Sequence, residues 1–200
     1  MTNKDNSVNI DSTKRYHHGD LRAALISAGL ELLAERSADD LSLREVARHV
    51  GVSATAVYRH FPDKQALLSA LAFEGMEELG RRQRAASEEA GGGLEGFAAS
   101  GATYVHFAVE NPALFRLIFA SAPPVRLLDA EPDRVGQAMR GLREDIAALM
   151  PAHLPEATRR TAALHAWSLV HGLAMLILDG QVDYDPDDVA RVIRGTGHAS

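Results

Sequence analysis

Apolar residues recur along this chain at intervals of three and four, the period of an α-helix, while the strict alternation of a half-buried strand is missing. Ala, Leu, Arg and Glu fill those spacings, so the pattern predicts an all-α protein. Leu21, Leu25, Ala28 and Leu32 place a first helix from about Asp20 to Arg36. Ser42-Leu43-Arg44-Glu45 has the form of a capping box, in which a hydroxyl and a carboxylate satisfy the free amides of a helix start. A second helix therefore begins near Leu43. Its stripe is Leu43, Val46, Ala47 and Val50, and Gly51 supplies the left-handed residue that commonly ends a helix. Ser53 then caps a short third helix through about His60, which turns Val57 and Phe61 inward before Pro62 stops it.

From Asp63 to about Ala90 the pattern is again helical, a rod of ~40 Å at 1.5 Å per residue. Gly91-Gly92-Gly93 breaks it. Beyond lie expected helices over Leu94 to Glu110, Asn111 to Ala120, Arg134 to Met150, Pro155 to Leu178 and Pro186 to Arg194, with a loop opening at Pro123-Pro124 and reaching about Asp133. Three units follow: a small one at 16–62, a connector at 63–90 and a larger bundle at 91–200. The apolar stretch from Leu164 to Leu178 is shorter than the ~20 residues of a membrane span and contains His165, Ser168 and His171, so a buried helix is expected and no membrane partner.

Composition narrows the function. With 200 residues, 46% hydrophobic and 24% charged, the chain has the make-up of a soluble globular protein able to bury a core. The net charge of −6 argues against coating nucleic acid through bulk basicity and leaves site-specific binding open. Without cysteine there is no disulfide scaffold, thiolate zinc site or cysteine nucleophile. His17-His18 lacks a third ligand, so neither metal nor cofactor is expected. The polar first twenty residues hold no secretory apolar run and are expected to form a mobile arm in a cytoplasmic protein. No Gly-rich phosphate loop, HExxH or GxSxG occurs, which weighs against an enzyme.

Two helices joined by a tight glycine turn, the second short and polar-faced, suggest a helix-turn-helix, whose second helix enters the major groove. The stretch LSLREVARHVGVSATAVYRHFPDKQALLSAL, Leu41 to Leu71, resembles the DNA-binding signature of the TetR family of bacterial transcriptional regulators. The likeness rests on the Gly51-Val52-Ser53 turn, the Val57-Tyr58-x-His60-Phe61 run and Asp63-Lys64 at fixed spacing. It implies base-edge contacts from the start of the third helix at Ser53, Ala54, Thr55 and Ala56. Thr55 can hydrogen-bond or touch a thymine methyl, whereas the alanines offer only apolar contact, which shifts weight to Arg44 and Arg59. Arg44 reads guanine or clamps a phosphate. Tyr58, His60 and Lys64 resemble the family's phosphate contacts, with a packed Tyr, a surface His and a solvated Lys as the plain alternatives. The arm Lys14-Arg15-Tyr16-His17-His18 either tracks DNA or is inert.

Trp167-Ser168-Leu169-Val170-His171-Gly172 resembles the Trp-His-Gly signature of one TetR-type C-terminal class. A reading head this small covers one half-site, so a homodimer on a palindromic operator is expected. Ala163, Ala166, Trp167, Val170, Leu173 and Ala174 are the candidate dimer surface, or else monomer core. Tyr104, Phe107, Phe115, Phe119, Met139, Trp167 and His171 are candidates to line a small-molecule effector cavity, with ordinary core packing as the alternative for each. The function implied is a ligand-responsive repressor released by its effector. A small-molecule-binding or protein-interaction helical dimer without DNA recognition is the other reading. The charge divides accordingly: residues 1–64 hold nine Lys/Arg and nine Asp/Glu, residues 65–200 twelve and eighteen, so the acidity lies entirely in the second region.

Overall fold

The computed structural model describes residues 21–120, 128, 131 and 135–195, and the basic arm before Asp20 and most of the loop after Pro123 lie outside them. Among the described residues there are nine helices and no strand: α1 (Leu21–Glu35), α2 (Leu43–Val50), α3 (Ala54–Tyr58), α4 (Lys64–Glu89), α5 (Gly93–Glu110), α6 (Pro112–Ala120), α7 (Gln137–Leu149), α8 (Glu156–Leu178) and α9 (Pro186–Arg194). The all-α expectation holds.

The first three helices pack as the apolar stripes require. Leu25, Ala28, Leu32, Val46, Ala47, Val57 and Phe61 are all buried in one core. Ser42 Oγ accepts from Glu45 N (3.3 Å), and the Glu45 carboxylate reaches across to Arg36 at the end of α1. Gly51 takes φ +80°, and the following Val52 N–H returns to Ala47 O (2.9 Å), closing α2 in the left-handed turn its sequence predicts. Ser53 caps α3 through Ala56 N (3.2 Å). That helix stops at Tyr58, two residues before the expected end. His60 N and Phe61 N both fold back onto Val57 O, tightening the turn ahead of Pro62.

The long helix α4 is more than a spacer between two units. Leu67, Leu68 and Leu71 join the core of the three-helix head, while Gly75, Leu79 and Gly80 are buried further along it. At its head end, Gly29 of α1 meets Leu71 so closely that a Cβ there would stand 2.8 Å from Leu71 Cδ2. At its body end, a Cβ on Gly80 would stand 2.4 Å from Ala138 N of α7, a contact of backbone on backbone that only glycine permits. Glu77 Oε1 accepts from Gln137 N (2.7 Å), and Arg84 pairs with Glu144 (2.9 Å), so the start of α7 is fastened to α4. α7 begins at Gln137, three residues later than the pattern suggested.

α5 packs along α4 and also meets α6, α7, α8 and α9. α8 corrects one expectation. The whole helix, 23 residues and longer than the Leu164 to Leu178 stretch within it, is long and apolar enough by length and composition alone to cross a membrane. It is not the buried helix expected: only Ala163 and Ala174 on it are fully buried, and Leu164 and Leu176 are 42% and 47% exposed. The helix packs against α5, α7 and α9 and leaves one apolar face uncovered.

Candidate nucleic-acid interface and ligand cavity

The turn between α2 and α3 leaves most of the polar candidates exposed. Arg44, Ser53, Thr55, Tyr58, Arg59 and His60 are exposed, and Ala54 is half-buried. The side chains that hold α3 in place, Val57 and Phe61, point the other way into the core. Tyr58 is 47% exposed, unlike a packed tyrosine. Ser53 spends a lone pair on capping α3 and keeps its hydroxyl proton. Lys64 differs from its neighbours: half-buried, its ammonium donates to Asp39 O (2.5 Å) in the α1–α2 connection and so braces the head, with two N–H groups left over. α2 is tied to α1 twice, through Arg36 and Glu45 and through His49 Nε2 with Glu31 (2.9 Å). The His49 hydrogen bond, with Ser27's, holds the Glu31 carboxyl below its ordinary range.

A second site lies in the body. α4, α5, α6, α7, α8 and α9 surround a cavity of about 450 Å³. Tyr104, Phe119, Met139 and Trp167 line it, together with Ala166 and Val170, which the sequence had suggested for a dimer surface. Phe107 and Phe115 do not line this cavity. Both are fully buried, and Phe115 stacks edge-on with Tyr104 at 5.4 Å and Phe119 at 5.1 Å between ring centroids. His171 stands outside the lining too. Its ring is the hub behind the wall, 4.6 Å from Phe119, 5.6 Å from Phe115 and 6.1 Å from Trp167.

Trp167 and His171 are one turn apart on α8 and converge on a single atom. Tyr104 Oη accepts from Trp167 Nε1 (3.2 Å) and pairs with His171 Nδ1 (2.9 Å), to which it donates its own proton when that nitrogen is unprotonated. That arrangement requires a neutral imidazole. Burial supplies it by pushing the His171 pKa below the ordinary value, and the same burial pushes the Tyr104 hydroxyl far up, so it stays protonated. The third member of the motif, Gly172, has open space where a Cβ would stand. It lies on the uncovered face of α8 with Leu164, Ser168 and Leu176, spaced four apart. Ala163 and Ala174, offered by the sequence as interface residues, are 3% and 0% exposed and belong to the core of this chain. Leu173 is half-buried.

Several wall residues gave no signal in the sequence: Met76 and Gln83 from α4, Ser100 from α5, Leu142 from α7 and Ile193 from α9. Among the described residues no cluster of three His, Asp or Glu side chains could hold a metal ion.

Two family models match this chain. Residues 25–71 match bacterial regulatory proteins of the tetR family, and residues 97–195 match a tetracyclin repressor-like C-terminal domain. A protein of unknown function from Rhodococcus sp. RHA1 is 31% identical, covers 88% of this chain and 93% of its own, and superposes with a TM-score of 0.70. A tetR-family transcriptional regulator from Streptomyces coelicolor shares the fold at 22% identity, with 89% and 79% of the two chains covered and a TM-score of 0.65. A TetR transcriptional regulator from Rhodococcus sp. RHA1 does so at 20% identity, 89% and 96% coverage and a TM-score of 0.56. An N-terminal helix-turn-helix joined to an all-helical body is the architecture of a DNA-binding transcriptional regulator, a class whose members are generally not enzymes. The chain belongs to the TetR family of bacterial regulators.

Proposed function

We propose that this protein is a cytoplasmic, homodimeric repressor that binds a palindromic operator and is released by a small molecule in the α4–α9 cavity. The observation that carries the reading is α4, one helix that gives Leu67, Leu68 and Leu71 to the core of the reading head and, further along, Met76 and Gln83 to the cavity wall. Arg44, Thr55 and Arg59 are assigned to base edges, Ser53 and Ala54 to close approach, and Tyr58, His60 and Lys64 to phosphates. Their exposure supports this for all but Ala54 and Lys64, which are half-buried.

Dimerisation is assigned to the uncovered face of α8, at Leu164, Ser168, Gly172 and Leu176, continued by Val192 of α9. Apolar side chains there are 37–47% exposed, and the bare Gly172 lets a partner helix approach closely. The Trp167-His171-Gly172 set fits the Trp-His-Gly class in these roles: two side chains fix Tyr104 inside, and the glycine opens the outside.

Release follows from the docking of α7. Ala138, Met139 and Leu142 line the cavity, while Gln137 and Ala138 sit against Glu77 and Gly80 of α4. A ligand that displaces α7 displaces α4 with it and changes the separation of two heads that must span about 34–36 Å of DNA. The ligand must then prefer the conformer with the wrong separation. Fluorescence anisotropy with the upstream region of the protein's own gene tests this: a palindrome there should bind more tightly than random DNA at every salt concentration. Equal binding would refute it.

A further inference from the structure

Most of the cavity's polar and charged groups are engaged or, like His165, exposed. Glu95 and Arg194, its acid and its arginine, pair with each other at 3.2 Å through exposed side chains. Tyr104 Oη already serves Trp167 and His171. Gln83 is different. Its Nε2 donates to Ser100 O (3.2 Å) on α5, which fixes the amide's orientation, because the nitrogen must face a carbonyl and Oε1 must face elsewhere. That oxygen is buried, with almost no accessible surface of its own, and has no hydrogen-bond partner among the described residues, so a donor in the cavity reaches it only as the amide shifts toward that space. Gln83 stands at the partition between the main cavity and a side pocket of about 40 Å³, which shares Ser100, Ala138 and Leu142 with it.

An unpaired amide oxygen kept out of water is costly unless something donates to it. The rest of the wall is set by Met76, Phe97, Phe119, Met139, Trp167 and Ile193, and a volume of about 450 Å³ falls within the roughly 300–1,000 Å³ of small-molecule pockets. A carboxylate entering this space would lose its hydration and meet only an arginine already paired with Glu95 and an exposed His165. Resting on the effector-site reading, we infer that the cavity takes a neutral, mainly aromatic or aliphatic molecule carrying a hydroxyl or N–H that donates to Gln83 Oε1.

Trp167 is the chain's one tryptophan and lies in the cavity wall, so its fluorescence on the full-length protein reports occupancy without DNA. The probes are 4-benzylphenol, its methyl ether, and 4-benzylbenzoic acid as the charged comparison. The phenol should bind about tenfold more tightly than the ether, the cost of leaving one buried acceptor unpaired. In Gln83→Met that preference should shrink to within about twofold with the ether's affinity kept. The variant removes an unsatisfied buried oxygen, and its thermal midpoint, measured alongside, should stay near that of wild type. Should Gln83→Met fail to fold, the wild-type comparison of phenol with ether still decides. Equal affinity of the two in wild type, an undiminished preference in a folded Gln83→Met, tightest binding of the acid, or no binding of either neutral probe overturns the inference. Anisotropy with operator DNA separates the two readings. Phenol binding without DNA release keeps this ligand class and removes the release mechanism, whereas failure here leaves the DNA-binding reading in place.

Discussion

Arg44 and Tyr58 can be altered without touching the core, because both project from helices whose buried positions are other residues. Arg44→Ala should weaken operator binding about tenfold, the lower range for one lost guanidinium fork at a base edge or phosphate, and Tyr58→Phe by about threefold. Both should unfold within about 0.5 kcal/mol of wild type, as surface substitutions do. His171 carries a different prediction. Its folded pKa is lowered by burial, so the unfolded chain takes up a proton first as pH falls through about 6.5. Stability should be level above that pH and decline between about pH 6.5 and the lower folded value, and thermal melts of His171→Asn should show a shallower decline over the same window. At this scale the sequence was informative where a residue answers to its neighbours along the chain: Ser42, Gly51, Ser53, Val57 and Phe61 all do what spacing implied. It could not separate Phe119 in the cavity wall from Phe107 and Phe115 in the packed core, since one helix pattern serves both and only the helix pairing decides.

The elements themselves were largely visible in the sequence; their relationships were not. α4 read as a connector because its apolar residues follow the same period throughout, and nothing local marks where its partner changes from the head to the body. The structure locates that change between Leu71, against Gly29, and Gly80, against α7. On the proposed release mechanism, Gly80 is the point at which cavity movements reach the connector. Gly80→Ala forces α4 and α7 apart, since the atoms met are backbone and cannot yield like a flexible side chain. Overpacking of this kind should cost about 1–3 kcal/mol in urea denaturation, and it should weaken the dependence of DNA binding on ligand more than DNA binding itself. The ends of α3 and α7 also moved by two or three residues from their predicted places, because terminal turns are settled by bonds such as His60 N to Val57 O and Glu77 to Gln137 N, the second of which joins distant parts of the chain.

For the whole molecule, a balanced charge over residues 1–64 and −6 over the rest separate a DNA-facing head from an acidic body that DNA repels. Two such heads need a shared frame. Leu164→Glu on the open face of α8 should place a charge in the apolar contact between two copies, giving a monomer by analytical ultracentrifugation with helix content unchanged, since Leu164 is 42% exposed within one chain. The operator should test the account most directly. Genomic DNA fragments retained by the purified protein should share an inverted repeat whose half-sites lie about one helical turn, or a multiple of it, apart, and Arg44→Ala should lose that enrichment. Retained fragments without a common motif, or with a single unpaired half-site, would contradict a dimeric regulator that reads DNA through α3.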